Sequence, residues 1–361
     1  MAYNPLTPYN DLPDLPPAQD IETVAVLKKA VSAGRALAEL KGLGDTLPDQ
    51  SILVNSIVLQ EARASSEIEN IVTTNDALFR AMAASSQTGV DPATKEVLRY
   101  REALWTGFHD LKTRRVLSTN LFVHIVNTIK QNEAGIRTMP GIVIANSATG
   151  ETVYTPPEGE DVIRRKLHNL EEYIHSADGP DPLIRMAVTH YQFEAIHPFS
   201  DGNGRTGRIA SILYLVQQDL LDIPVLYLSR HIIDNKGDYY RLLRRVTEAE
   251  EWEQWIIFML HAVEVTADLT RRRMLDIRQV MGETVETMRE RLPKVYSKEL
   301  VELLFRQPYA KVEFLVNAGI AKRQTAATYL RELERIGVLR STRVGRENIF
   351  LNIRLFDLLS G

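Results

Sequence analysis

The sequence predicts a mainly α-helical protein with one β-hairpin near its middle and a winged helix-turn-helix at its C-terminal end. Three observations predict it. Apolar residues recur at helical spacing through most of the chain. Residues 135–157 break that habit with two short β-prone runs. After Pro293 the texture changes to three short helical segments followed by two more β-prone runs.

In chain order, residues 1–20 carry Pro5, Pro8, Pro13, Pro16 and Pro17 and read as an extended arm. Residues 22–43 are helical, stopped by Gly42 and Gly44. A second helix follows Pro48 over 51–64, with Ile52, Leu53, Ile57 and Leu59 on its buried face. Helical patterns resume at 75–84, 93–113 and 119–131. The hairpin lies within GIVIANSATGETVYTPP, turning around Asn146-Ser147-Ala148-Thr149-Gly150. Helices return at 160–176, 181–197 and from within GNGRTGR onward, then at 229–247 and 251–291, the last long and interrupted. The tail offers helices at 297–306, 311–318 and 322–336, then Val338–Val344 and Asn348–Asn352 joined by Gly345-Arg346-Glu347. The division expected is 1–95, an N-terminal helical region; 96–292, a catalytic domain; and 293–361, a winged-helix domain.

Composition narrows the function. The chain has 361 residues, 44% apolar and 25% charged, and no cysteine, so neither a disulfide nor a thiolate nucleophile is available. The lack of cysteine, of a secretory signal and of a long apolar run points to the cytosol and away from the membrane. The formal net charge is -4, yet residues 293–361 hold 12 Lys and Arg against 7 Asp and Glu, a net of +5, so the rest carries -9.

Residues 197–208 read HPFSDGNGRTGR. Gly202 and Gly204 let the backbone approach a phosphate closely, and free N–H groups at the start of a helix attract an anion. Arg205 and Arg208 lie three apart, on one helical face, and suit a polyphosphate. Asp201 is a hard oxygen ligand for Mg2+ carried by that polyphosphate. His197 has the side-chain type that serves as general base near neutral pH, and Pro198 and Phe199 would anchor the loop. Singly, each part has an ordinary reading as a turn, a solvated face or a structural histidine. Together they are the parts of a phosphoryl or nucleotidyl transfer site.

The segment resembles the Fic-domain signature, His-Pro-Phe-x-Asp-Gly-Asn-Gly-Arg-x-x-Arg, at every specified position. The resemblance implies a Fic helical-bundle fold and a protein adenylyltransferase, moving AMP from ATP to a Ser, Thr or Tyr hydroxyl of a target protein, and of the enzyme itself. It implies that His197 takes the hydroxyl proton and that Asp201 holds Mg2+. It implies a phosphate cradle of Asn203 with the backbone of Gly202, Gly204, Thr206 and Gly207, Arg205 on phosphate and Arg208 on the γ-phosphate. A kinase-like branch replaces the loop glycines, and both are kept here, whereas transfer of UMP or phosphocholine is left open.

Ser65-Ser66-Glu67-Ile68-Glu69-Asn70 would alone be a solvated helix. It is similar to the family's inhibitory motif, with Ser65, Glu69 and Asn70 in the matching places. The resemblance implies that Glu69 pairs with Arg208 where the γ-phosphate would sit, within one chain, as in the bacterial stand-alone type. Some relatives also remove AMP with that glutamate, which gives Glu69 a second role still open. The 141–157 hairpin resembles the flap on which the target docks, and Tyr240 beside Tyr239 is the choice for nucleotide contact. The tail leaves two partners open, DNA through 293–361 or protein, a second copy of the chain included. The alternative for the whole chain is a DNA-binding transcriptional regulator with a degenerate Fic body.

Overall fold

A computed structural model describes residues 3–44, 50–84, 89–146, 149–344 and 347–360. Pro48, Ser147, Ala148, Gly345 and Arg346 lie outside the described residues, as do the side chains of Ile52 and Leu53. The expected helical architecture is present, with little strand. In order come α1 (Val24–Gly44), α2 (Gln50–Ile68), α3 (Asn75–Ala83), α4 (Pro92–Arg114) and α5 (Thr119–Lys130). The hairpin follows as β1 (Ile144–Ala145) and β2 (Thr152–Tyr154), antiparallel, with Ile144 opposite Tyr154.

The centre is α7 (Pro182–Ile196) against α8 (Asn203–Gln217), flanked by α4, α5, α6 (Glu160–His175) and α11 (Trp252–Arg291). Nearly every residue of α7 and α8 is buried, so apolar residues run round both helices instead of forming one stripe. Starts are set by local chemistry. Asp91 and Asp181 accept from the backbone of Thr94 and Leu183, each followed by Pro at the first helical position, and Ser118 caps α5 in the same way.

Two expectations are corrected. The helix expected over 229–247 is two, α9 (Leu228–Asp234) and α10 (Lys236–Ala249), parted at Asn235, where ψ of 34° leaves the helical region. The helix expected to be interrupted over 251–291 runs unbroken from Trp252 to Arg291. It holds neither proline nor a glycine pair to kink it, and α1 packs along it.

The tail contains α12 (Lys298–Arg306), β3 (Tyr309–Ala310), α13 (Val312–Asn317), α14 (Arg323–Arg335), β4 (Leu339–Val344), β5 (Glu347–Asn352) and α15 (Ile353–Ser360). The expected three helices and hairpin are joined by a short third strand, in sheet order β3-β5-β4, and by α15. This unit grips the body. The buried Gln60 amide of α2 donates to the Leu359 carbonyl at 2.8 Å, and Asn75 donates to the same oxygen at 3.3 Å. Phe356 meets Phe79 edge-on at 6.0 Å, and the Tyr309 hydroxyl donates to Asp76.

The N-terminal arm is extended, as its prolines require, and lies on the hairpin. Tyr9 N–H donates to Thr155 O at 3.0 Å, and the Tyr3 hydroxyl to Val153 O at 3.1 Å. The hairpin is therefore covered by the arm on its β2 side, while Met139 and Val143 on the β1 side stay exposed.

Candidate active site

The turn from α7 to α8 carries the 197–208 segment. His197 ends α7 in the left-handed region, with φ 49° and ψ 58°, and its N–H donates to Phe193 O at 3.0 Å. Phe199 is buried, and its backbone N–H and carbonyl are both bonded, at 2.8 Å each, by the Asn203 side chain. Asn203 thus closes the loop with its side chain, which spends its oxygen and one amide hydrogen on Phe199. Gly202 starts α8 at φ 86°, a conformation that only glycine adopts without strain. The N–H groups of the first turn of α8 have no helical acceptor, which makes the turn an anion cradle.

Arg137 was not singled out from the sequence. It is buried and reaches across this turn, with Nε 2.8 Å from His197 O and Nη2 2.5 Å from Pro157 O. Burial pushes the His197 imidazole down to about 4, the Arg137 cation adds to this, and the Glu194 backbone carbonyl with Glu69 and Asp201 opposes it. At neutral pH the ring is unprotonated and free to accept a proton.

Asp201 and Arg205 belong to a chain of charges. Lys130 lies 2.5 Å from Asp201 and 3.3 Å from Glu96, and Arg205, itself buried, lies 2.5 Å from Glu96. Burial alone would raise the Asp201 carboxyl, but the Lys130 ammonium and the Arg205 guanidinium hold it below the usual carboxylate range. The carboxylate is 60% exposed. Among the described residues no group of three or more His, Cys, Asp or Glu could cage a metal. One exposed carboxylate suits a Mg2+ whose other ligands come from phosphates and water, so Asp201 fits that ion.

Arg208 is buried, and its Nε donates to Ser65 Oγ at 2.7 Å. Its Nη2 donates to Ser65 O at 2.9 Å and to Glu69 at 2.8 Å. Burial alone would lower the guanidinium, yet Glu69, with Tyr239, Tyr100 and Glu194, holds it above the ordinary arginine value. Glu69 sits just past α2, whose end is closed by Ile71 N–H to Ser66 O at 3.0 Å. Asn70 takes the left-handed φ of 62° that this closure needs. Lys236 fastens the same turn, donating to Ile68 O at 2.6 Å. A Cβ on Gly204 would collide with the Glu69 carboxylate and stand 2.9 Å from Arg208, so this glycine leaves open the hollow in which the pair meets. Thr206 and Gly207 follow in the first turns of α8, with Glu194 against Gly207.

Tyr240 is 44% exposed, and the tyrosine beside it, Tyr239, is buried with its hydroxyl 2.8 Å from His190. Burial and then Glu69 raise the Tyr240 phenol above its ordinary value, and its ring meets Tyr239 edge-on at 5.1 Å. Lys130, Glu96, Glu194 and Lys236 had no local sequence signal. Each is an ordinary helical charge until the fold brings it to the loop.

Two buried arginines, a histidine and a glycine-lined helix start thus meet on a helical scaffold. Residues 116–215 match the Fic/DOC family, residues 27–109 the Fic/DOC family N-terminal region, and residues 280–355 the C-terminal domain of protein adenylyltransferase SoFic-like. The chain belongs to the Fic/DOC family. It is 31% identical over 133 residues to a probable protein adenylyltransferase of Aquifex aeolicus, covering 37% of this chain and 35% of that one. It is 29% identical over 118 residues to protein adenylyltransferase Fic of Nematostella vectensis, covering 32% and 26%. The matched stretches thus span about a third or less of those relatives. A Fic family protein from Desulfovibrio desulfuricans has the same fold, with a TM-score of 0.59 at 20% identity over 93% of this chain and 98% of that one.

Proposed function

We propose that the protein transfers AMP from ATP to a hydroxyl of a target protein and that its resting state is inhibited by Glu69. The observation that carries this reading is Arg208 held by Glu69 at the mouth of a glycine-lined helix start, with a neutral His197 at the other end of the same loop. A triphosphate would lie on the first turn of α8, its γ-phosphate competing with Glu69 for Arg208. Arg205 and the backbone of Gly202, Gly204 and Gly207 would face the remaining phosphates, whereas Thr206 N–H is already spent on Gly202 O at 3.0 Å; Asp201 would hold Mg2+, and the exposed Tyr240 ring would meet the base. The ion, when bound, neutralises phosphate charge. His197 accepts the proton as the target oxygen bonds to the α-phosphorus, the bond from that phosphorus to the bridging oxygen breaks, and pyrophosphate leaves.

The target's extended segment would add to the exposed β1 side of the hairpin, next to Met139 and Val143. A second reading concerns the winged-helix tail. Lys322, Arg323, Arg331, Arg340 and Arg343 are exposed, and none carries an ion pair among the described residues. The elements that grip the body are α12, β3 and α15, so α14 and β4 stay free to meet a duplex.

Incubating wild type and His197→Ala with α-labelled and γ-labelled ATP tests the main reading. Protein label from α only, absent in His197→Ala, is expected. Label from γ only would make the protein a kinase, and no label from either would favour the regulator.

A further inference from the structure

We infer that Arg137 is a positioning residue for the transfer reaction, one guanidinium that fixes the backbone of the base His197 to both stalks of the target-docking hairpin. The inference rests on the reading of His197 as base.

Arg137 precedes the hairpin and Pro157 follows it. The side chain spans the gap between them and continues to the catalytic turn. Its Nε donates to His197 O at 2.8 Å, and its Nη2 to Pro157 O at 2.5 Å and to Ile196 O at 3.5 Å. Its own backbone N–H donates to Pro198 O at 2.9 Å. Residues 196–198 and both ends of the hairpin therefore meet at one residue. The neighbouring Tyr154 of β2 adds a second tie, its hydroxyl donating to Ala195 O at 2.7 Å.

A plain structural role would need only neutral donors. Here the donor is a cation, 6% exposed, with no carboxylate in ion-pair contact among the described residues. Burying such a charge against carbonyls alone is costly, and a glutamine could reach fewer of them. Two features account for a guanidinium. His197 sits in the left-handed region, less favourable for a residue with a Cβ, and Arg137 holds its carbonyl there. The planar fork also reaches carbonyls of two separate segments at fixed angles, which an ammonium does not. The cation also disfavours the protonated imidazole, second to burial, and the other charged groups acting on His197, Glu69 and Asp201, favour it, so removing Arg137 leaves burial as the one influence holding the ring low.

The test uses the full chain in the Glu69→Gly background, with Arg137→Gln and Arg137→Lys introduced singly. We expect Arg137→Gln to lower kcat roughly 100-fold with the KM for ATP within twofold, the size of effect that a misplacement of about 1 Å produces. Carbon-13 NMR of the histidine ring, which reads no activity, should find the His197 titration moved upward from about 4 toward 6.5 in Arg137→Gln. Arg137→Lys should hold the titration low but fail to restore kcat. Unchanged kcat and an unmoved titration in Arg137→Gln would overturn the inference, as would full rescue of kcat by lysine. If Arg137→Gln does not fold, Arg137→Lys carries the kcat test alone. A Glu69→Gly parent that transfers no α-label would defeat the function reading instead, and the NMR titration would still decide whether Arg137 governs His197.

Discussion

Arg208 and Glu69 stand 139 residues apart in sequence and 2.8 Å apart in space, joined through Nη2 and a carboxylate oxygen. The guanidinium is 1% exposed, and its Nε is already spent on Ser65, so Nη2 is where an incoming γ-phosphate would compete. A hydrogen bond between charged groups is worth about 1.5–3 kcal/mol, so removing the competitor should favour productive ATP binding roughly 10- to 100-fold. Glu69→Gly is therefore expected to increase labelling from α-labelled ATP by that factor. Equal labelling by wild type and variant under saturating Mg-ATP would mean that the pair does not restrain the enzyme.

Gly204 bears on the same hollow. Alanine there would put a methyl group against the Glu69 carboxylate and 2.9 Å from Arg208 Nη1. Gly204→Ala should weaken ATP binding on the order of tenfold, as for one lost charged hydrogen bond, both alone and combined with Glu69→Gly. Calorimetric titration with ATP reads this directly. Recovery of normal affinity in the double variant would show that the methyl group meets Glu69 alone.

The low-lying His197 titration sets a pH dependence. Burial, with Arg137, brings the imidazole to about 4, so the free base persists well below neutrality. The kcat/KM profile of Glu69→Gly should stay level from about pH 8 to 5 and fall only toward 4. The same depressed value means that fold stability from this group is present above 6.5 and is lost as pH falls through about 4. An activity inflection near 6.5 would instead describe an imidazole in contact with bulk water.

Glu194 supplies the opposite sign. Burial raises its carboxyl to about 7, against the pull of Arg208 and with the push of Glu69. The folded chain keeps this proton over a range where the unfolded chain, titrating near 4.5, has released it. Stability from this group is therefore present below 4.5 and is lost as pH rises through about 7, by ~3 kcal/mol. Glu194→Gln should melt roughly 5 °C above wild type at pH 8 and close to it at pH 4.5. A variant less stable than wild type at pH 8 would indicate that the ionised carboxylate is the form the fold uses.

Much of this was legible in the sequence because it is local. The 197–208 loop gathers a histidine, an aspartate, glycines and arginines into one turn, and the periodic helices announced themselves residue by residue. The break at Asn235 escaped notice because Lys236–Ala249 continues the helical spacing of the segment before it. Arg137, Glu96 and Lys130 escaped for another reason. Arg137 meets His197 across 60 residues and Glu96 meets Arg205 across 109, so each chemical role exists only after folding. Asn203 illustrates the reverse case. The motif fixes its position, but only the folded loop turns its side chain back on Phe199.

Gln60 and Glu69 lie on one α2 and its closing turn, the first held by the Leu359 carbonyl of the tail and the second by Arg208. The two attachments share a single rigid rod about two turns long. On the proposed reading, a tail ligand that preferred one seating of that rod would alter the affinity for ATP, and thermodynamic reciprocity would have ATP alter the ligand's affinity by the same factor. Nucleotide occupancy and tail occupancy would then be conjugate quantities.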